Sequence, residues 1–171
     1  MDQTLFFTLN NLAGRWPWLD ALGVFCAVYL LWIMLAGLIV LWFVKPRAPH
    51  RLAVFVALIS AVVARFGVGT ILKLLFARPR PYEFLPVRQL ILESGWSFPS
   101  GHATFAFGLA TGVYLYNRKF GYLAYTGAIL VSISRVFVGV HWPSDIIAGA
   151  AIGIITAYII NRGVHALVKS F

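Results

Sequence analysis

The sequence predicts an all-α, polytopic transmembrane helix bundle, and three observations carry that expectation. Of its 171 residues, 61% are apolar and only 11% are charged, whereas a soluble domain keeps about a quarter of its residues charged. The apolar residues arrive in continuous blocks, long enough to cross a hydrocarbon core and without the alternation of barrel strands. Backbone groups in lipid must be satisfied within their own segment, so each block is expected to be a helix. Five spanning helices are expected, at about 21–44, 52–76, 101–116, 121–138 and 144–160, preceded by a short amphipathic helix, six helices in all. The chain 1–171 reads as a single domain without internal repeats.

In chain order, Met1–Asp20 places Leu5, Phe6, Leu9 and Leu12 at roughly helical spacing beside Asn10 and Asn11. It is too short and polar to span and is expected to lie in the outer interface, ended by Gly14 and Pro17. No basic segment precedes an apolar one there, so no cleavable signal peptide is expected. The first span holds Cys26, the sole cysteine; it reads as a core thiol, and an intrachain disulfide is excluded. The second span carries Arg65 near its middle, where charge is expensive. A structural pairing with protein groups is the preferred account, with an internal polar cavity or contact with substrate as alternatives. A proline-rich polar stretch, 77–99, leads to the last three spans. Four-residue spacings among Gly67, Gly69, Gly108, Gly112, Gly149 and Gly153 suit close helix packing, and Trp16, Trp18, Trp96 and Trp142 read as interfacial anchors.

The net charge of +9 does not point to nucleic acid, because the basic residues sit in short clusters between apolar blocks. Lys45, Arg47 and Arg51, then Arg118 and Lys119, then Arg162 and Lys169 mark every other connection as cytoplasmic, with the N-terminus outside. The two remaining connections face outward together, and the reactive residues concentrate there.

Three groups stand out. Lys73 closes the second span, and Pro79 turns the chain so that Arg80 can return over the membrane surface. Ser100 and Gly101 open the third span as a cap and a close-approach residue, a natural seat for an anion, with His102 in the first turn. Arg135 ends the fourth span; His141 precedes the fifth, and Asp145 in that helix's opening turn can orient one imidazole nitrogen and leave the other free to attack. Each group alone also suits a plain role: basic anchor, helix cap, dipole-favoured aspartate. Jointly, three cations beside two histidines and two helix N-termini suit a multiply charged phosphoryl group. Glu83, Glu93 and Asp145 are too few for a convincing two-metal cage, and no cofactor is expected.

Lys73-x6-Arg80-Pro81, Pro99-Ser100-Gly101-His102 and Ser134-Arg135-x5-His141-x3-Asp145 resemble, in order, the three signature motifs of the type 2 phosphatidic acid phosphatase superfamily. The continuous apolar helices are similar to its membrane lipid phosphatases. Asn10-Asn11-Leu12-Ala13-Gly14, Pro17 and Asp20 resemble, more loosely, its small bacterial undecaprenyl pyrophosphate phosphatases. The resemblance implies a metal-free reaction through a phosphohistidine. His141, oriented by Asp145, would be the nucleophile and His102 the acid and then the base. Lys73, Arg80, Ser100, Gly101 and Arg135 would hold the phosphate. The expected substrate is a lipid phosphate or diphosphate at the extracytoplasmic face of a plasma membrane, undecaprenyl pyrophosphate first. Phosphatidylglycerophosphate or phosphatidate is the rival substrate, and a non-catalytic phospholipid-binding or transport protein is the rival class.

Overall fold

A computed structural model describes residues 1–44 and 48–169; Lys45 and Arg47 of the basic connector, and the side chain of Lys169, lie outside the described residues. Eight α-helices occur among them, and no strand: α1 (Asp2–Asn10), α2 (Pro17–Val28), α3 (Leu30–Val44), α4 (Ala48–Val62), α5 (Gly69–Phe76), α6 (Gly101–Tyr114), α7 (Arg118–Phe137) and α8 (Pro143–Lys169). A π-helical turn, Val63–Val68, joins α4 to α5.

The α6 helix is the axis of the bundle, packed by α4, α7 and α8. Small residues make this possible. A Cβ on Gly112 would lie 2.3 Å from the Cα of Ala57, and one on Gly108 would lie 3.2 Å from the Cα of Ala61. From the opposite side, a Cβ on Gly153 would lie 2.5 Å from the Thr104 carbonyl oxygen. Lipid provides no hydrophobic drive between helices, so this close backbone approach and its dispersion contacts hold the bundle together. Gly67 is different. Its nearest neighbour is Val63 of the same turn, 3.9 Å away, so it serves no crossing between helices.

Among the described residues, three helical segments are long and apolar enough to cross a membrane, His50–Glu83, Arg118–Phe137 and Pro143–Leu167, and α2 with α3 makes a fourth if their 51° bend lies within one span. The expected span at 101–116 is the 14-residue α6, roughly 21 Å long at 1.5 Å per residue. The expected boundary near residue 20 moves: α2 begins at Pro17, because proline suits the first turn of a helix, where its missing N–H is no loss.

Within Met1–Asp20 the expected short helix is Asp2–Asn10, and contacts with the rest of the protein hold it. Phe6 and Asn10 are buried. The Asn10 amide donates to the carbonyls of Arg88 (2.8 Å) and Phe137 (2.9 Å) and accepts from the Arg88 amide (3.0 Å). Gly14, at φ +72°, turns the chain, and its amide donates to the Asp20 carboxylate at 2.9 Å. Asn10, Gly14 and Asp20 thus form the joint that fastens α1 and α2 to the end of α7.

At the other end of the bundle, Arg51 lies over Trp42, 5.3 Å from the ring centroid, and Tyr116 stacks on His165 at 6.0 Å. The basic residues Arg51 and Arg118 therefore share the end opposite to segment 77–100.

Candidate active site

The α5 helix stops at Ala77, which adopts the left-handed conformation (φ 40°) and sends the chain across the end of the bundle. That crossing segment closes a cavity of about 130 Å³ lined by Lys73, Arg80, Gly101, His102 and His141, together with Arg65, Glu93 and Trp96. The volume is roughly that of four liquid waters at ~30 Å³ each.

His141 follows the positive-φ Gly139 in the turn between α7 and α8 and is 1% exposed. Its Nδ1 lies 3.3 Å from Asp145 Oδ2, which also accepts the Trp142 amide at 2.9 Å. Burial, then repulsion from Arg135, Arg80 and Lys73, holds this imidazole well below the ordinary histidine value, so it is neutral at pH 7. The other oxygen of Asp145 accepts from Arg78 at 2.8 Å. Arg78 also pairs with Asp2 at 2.7 Å, and Asp2 accepts the Ser144 amide at 3.0 Å. Burial opposes the charge on Asp2, but its bonds from Ser144 and Arg78 leave the carboxyl below the usual range. The first turn of α1 thus buttresses Asp145 from behind.

Arg80 is 1% exposed and does not lie over the membrane surface as an open side chain. It donates to the carbonyls of Gly95 (2.7 Å), Val140 (2.8 Å) and Ser94 (3.1 Å), pinning the crossing segment to the residue before His141. Glu93 faces Arg80 at 3.5 Å and hydrogen-bonds Arg135. Burial would raise the Glu93 carboxyl, yet Arg135 and Arg80 hold it below its ordinary value. Lys73 Nζ donates to the Trp96 carbonyl.

The predicted site residues therefore converge, with three differences of depth. Arg135 does not line the cavity and sits behind Glu93; Ser100 and Asp145 also lie behind its wall. Ser100 occupies the N-cap position of α6 without a side-chain cap bond. Among the described residues its Oγ and the Nε of Arg135 are buried without a hydrogen-bond partner. Arg65 has its guanidinium against Gly101, where a Cβ would lie 2.1 Å from Nε. The preferred structural pairing is not found: among the described residues its side chain has a ring contact with Phe66 at 5.3 Å and no hydrogen bond or ion pair.

Asp2, Arg78 and Glu93 are participants that sequence reasoning missed. Their partners lie 67 or 76 residues away for Arg78 and 42 for the Glu93–Arg135 pair, and no local pattern announces such pairs. Trp142, expected as an interfacial anchor, is an internal strut, donating to the Pro79 carbonyl at 3.1 Å and lying under Arg78. Trp96 lines the cavity.

Membrane-crossing helices enclosing a cationic cavity with an aspartate-paired histidine define an integral membrane phosphohydrolase. The PAP2 superfamily model matches residues 49–169, and the chain belongs to that superfamily. It is similar to the bacitracin transport permease protein BcrC of Bacillus licheniformis, 35% identical over 89% of this chain and 75% of that one. The putative undecaprenyl-diphosphatase YbjG of Escherichia coli K12 is 31% identical over 91% of this chain and 78% of its own. Among solved structures, Aquifex aeolicus LpxE superposes with a TM-score of 0.76 at 30% identity, covering 94% of each chain. The protein is a membrane lipid phosphatase, a hydrolase.

Proposed function

We propose that this phosphatase removes the terminal phosphate of a lipid diphosphate, undecaprenyl diphosphate first, through a phosphohistidine on His141. The observation that carries the reading is the His141–Asp145 pair beside His102 in a cavity whose cations outnumber its carboxylate. With its proton on Nδ1 donated to Asp145, His141 presents Nε2 as a lone pair for in-line attack on phosphorus. The N–P bond forms as the P–O bond to the leaving group breaks, and the electron pair departs with that oxygen. His102 supplies a proton where the leaving oxygen needs one, then takes a proton from the water that cleaves the N–P bond and releases phosphate. Lys73, Arg80 and the Gly101 amide, which line the cavity, stabilise the charge on the non-bridging oxygens, with Arg135 and Ser100 Oγ acting from behind its wall.

In this reading α6 is the third of five spans, short because it sits at the centre of the bundle. One domain carries the whole site, which opens to the extracytoplasmic face of the plasma membrane. The relative named as an undecaprenyl-diphosphatase supports the choice of substrate. No group of three or more His, Cys, Asp or Glu side chains suited to a metal occurs among the described residues, and the reaction as written requires no metal ion.

The test is phosphate release by purified protein in detergent with EDTA, from undecaprenyl diphosphate, phosphatidylglycerophosphate and phosphatidate. Wild type is expected to favour the diphosphate, and His141→Ala is expected to lose at least about a thousandfold on every substrate. Binding without turnover by wild type would sink the catalytic reading and leave the lipid-binding or transport alternative; preference for a monophosphate would move the substrate to phosphatidylglycerophosphate or phosphatidate.

A further inference from the structure

We propose that Arg65 forms a second phosphate subsite, which holds the lipid-attached phosphate of a diphosphate substrate while the terminal phosphate reacts at His141. This rests on the reading above and deepens it.

Two cavities meet at Arg65. One is the cationic cavity of His141. The other, about 210 Å³, is almost entirely apolar, lined by Leu31, Trp32, Leu35, Phe66 and Phe105 from α3, the π-helical turn and α6. Arg65, Gly101 and His102 are the three residues common to both. A lipid whose tail lies in the apolar cavity and whose terminal phosphorus meets His141 must pass its inner phosphate across that seam.

The seam is built for an anion. An arginine within an apolar helical segment normally finds a partner, yet among the described residues the Arg65 guanidinium makes no hydrogen bond and no ion pair, and the Glu93 carboxylate attracts it only at longer range. The nearby carboxylate, Glu93, is committed to Arg80 and Arg135. Gly101 is the reason the guanidinium reaches the first turn of α6 at all, because any Cβ there would occupy its place.

The chemistry separates Arg65 from the other cations. Breaking the anhydride leaves the electron pair on the bridging oxygen of the inner phosphate, so the leaving group gains negative charge at the seam. A guanidinium there stabilises that charge directly. A monophosphate substrate has no inner phosphate, and its leaving oxygen is an alkoxide that needs a proton from His102. Arg65 therefore selects for diphosphates.

The experiment compares farnesyl diphosphate with farnesyl monophosphate, which share one tail, using wild type, Arg65→Met, Arg65→Lys and His141→Ala in detergent. The monophosphate is read as substrate or as competitive inhibitor. Arg65→Met is expected to lower kcat/KM for the diphosphate about 10- to 100-fold, the effect of one charged hydrogen-bond donor. The monophosphate value should change less than about threefold, and Arg65→Lys should recover part of the diphosphate loss. Equal losses on both ligands, or an undiminished diphosphate rate, overturn the proposal. If Arg65→Met does not fold, the same comparison on Arg65→Lys decides, and equal effects on both ligands then reject it. Undiminished turnover by His141→Ala would instead reject the underlying mechanism.

Discussion

At the scale of single residues, the site works by holding one imidazole neutral and aimed. His141 is enclosed, pressed by Arg135, Arg80 and Lys73, and aligned by Asp145. Replacing Asp145 with asparagine keeps the shape but disturbs the tautomer, and phosphate release is expected to fall about a thousand- to ten-thousandfold, read as kcat. The acid limb of the pH–rate profile follows from the same surroundings. A histidine depressed by burial and cations stays unprotonated well below its usual value of about 6.5, so the rate should persist into acid. Lys73→Met removes one repelling charge; His141 then binds a proton more readily, and the limb should move to higher pH even though the overall rate drops. Glu93 has the opposite sign. Its lowered carboxyl contributes stability above the ordinary glutamate value of about 4.3, and that contribution is lost as pH falls. A Glu93→Gln protein should accordingly show a thermal midpoint less sensitive to acidification than wild type.

Elements show where packing is strictest. The α4–α6 crossing is set by Gly112, whose hydrogen faces the Ala57 backbone, and Gly112→Val must push the two helices apart. A loss of about 1–3 kcal/mol is expected, the usual cost of overpacking, measured by reversible unfolding in detergent with Gly67→Ala as the tolerant control. Docking of α1 depends on Asn10, which satisfies two carbonyls and one amide. Asn10→Leu orphans all three, so amides of residues 2–10 should exchange faster with deuterium and activity should decline through Asp2 and Asp145. Much of this scale was legible beforehand. Long apolar blocks marked the helices, and glycines at four-residue intervals marked the crossings. The start of α2 was not, because Pro17 serves equally to end one helix or open the next; nor was the bend between α2 and α3, which lies within one unbroken apolar run.

For the whole molecule, alternation of basic and apolar segments sorts the connections onto two ends, and the reactive groups gather at the end away from Arg51 and Arg118. Lys73, Arg80, His102 and His141 could be grouped from sequence because helical spans place alternate connections on one side. Depth could not be read that way. Whether a guanidinium lines a cavity, like Arg65, or stands behind a carboxylate, like Arg135, depends on contacts between segments remote in the chain. The proposed outward orientation has a direct check: a cysteine introduced at Leu92, which is 94% exposed, in a Cys26→Ala background should react with an impermeant maleimide added to intact cells.

The six residues Val63–Val68 form a π-helical turn, whose hydrogen bonds reach five residues along the chain where those of the flanking helices reach four. Such a wide turn absorbs about one residue, so Lys73 stands about 100° behind the phase that an unbroken α-helix would give it, and its position relative to α4 is set there. Deleting one residue from the wide turn would therefore restore an ordinary ladder and keep the ammonium in place, whereas an α-helical turn of unchanged length would carry it about 100° out of step with its own chemistry.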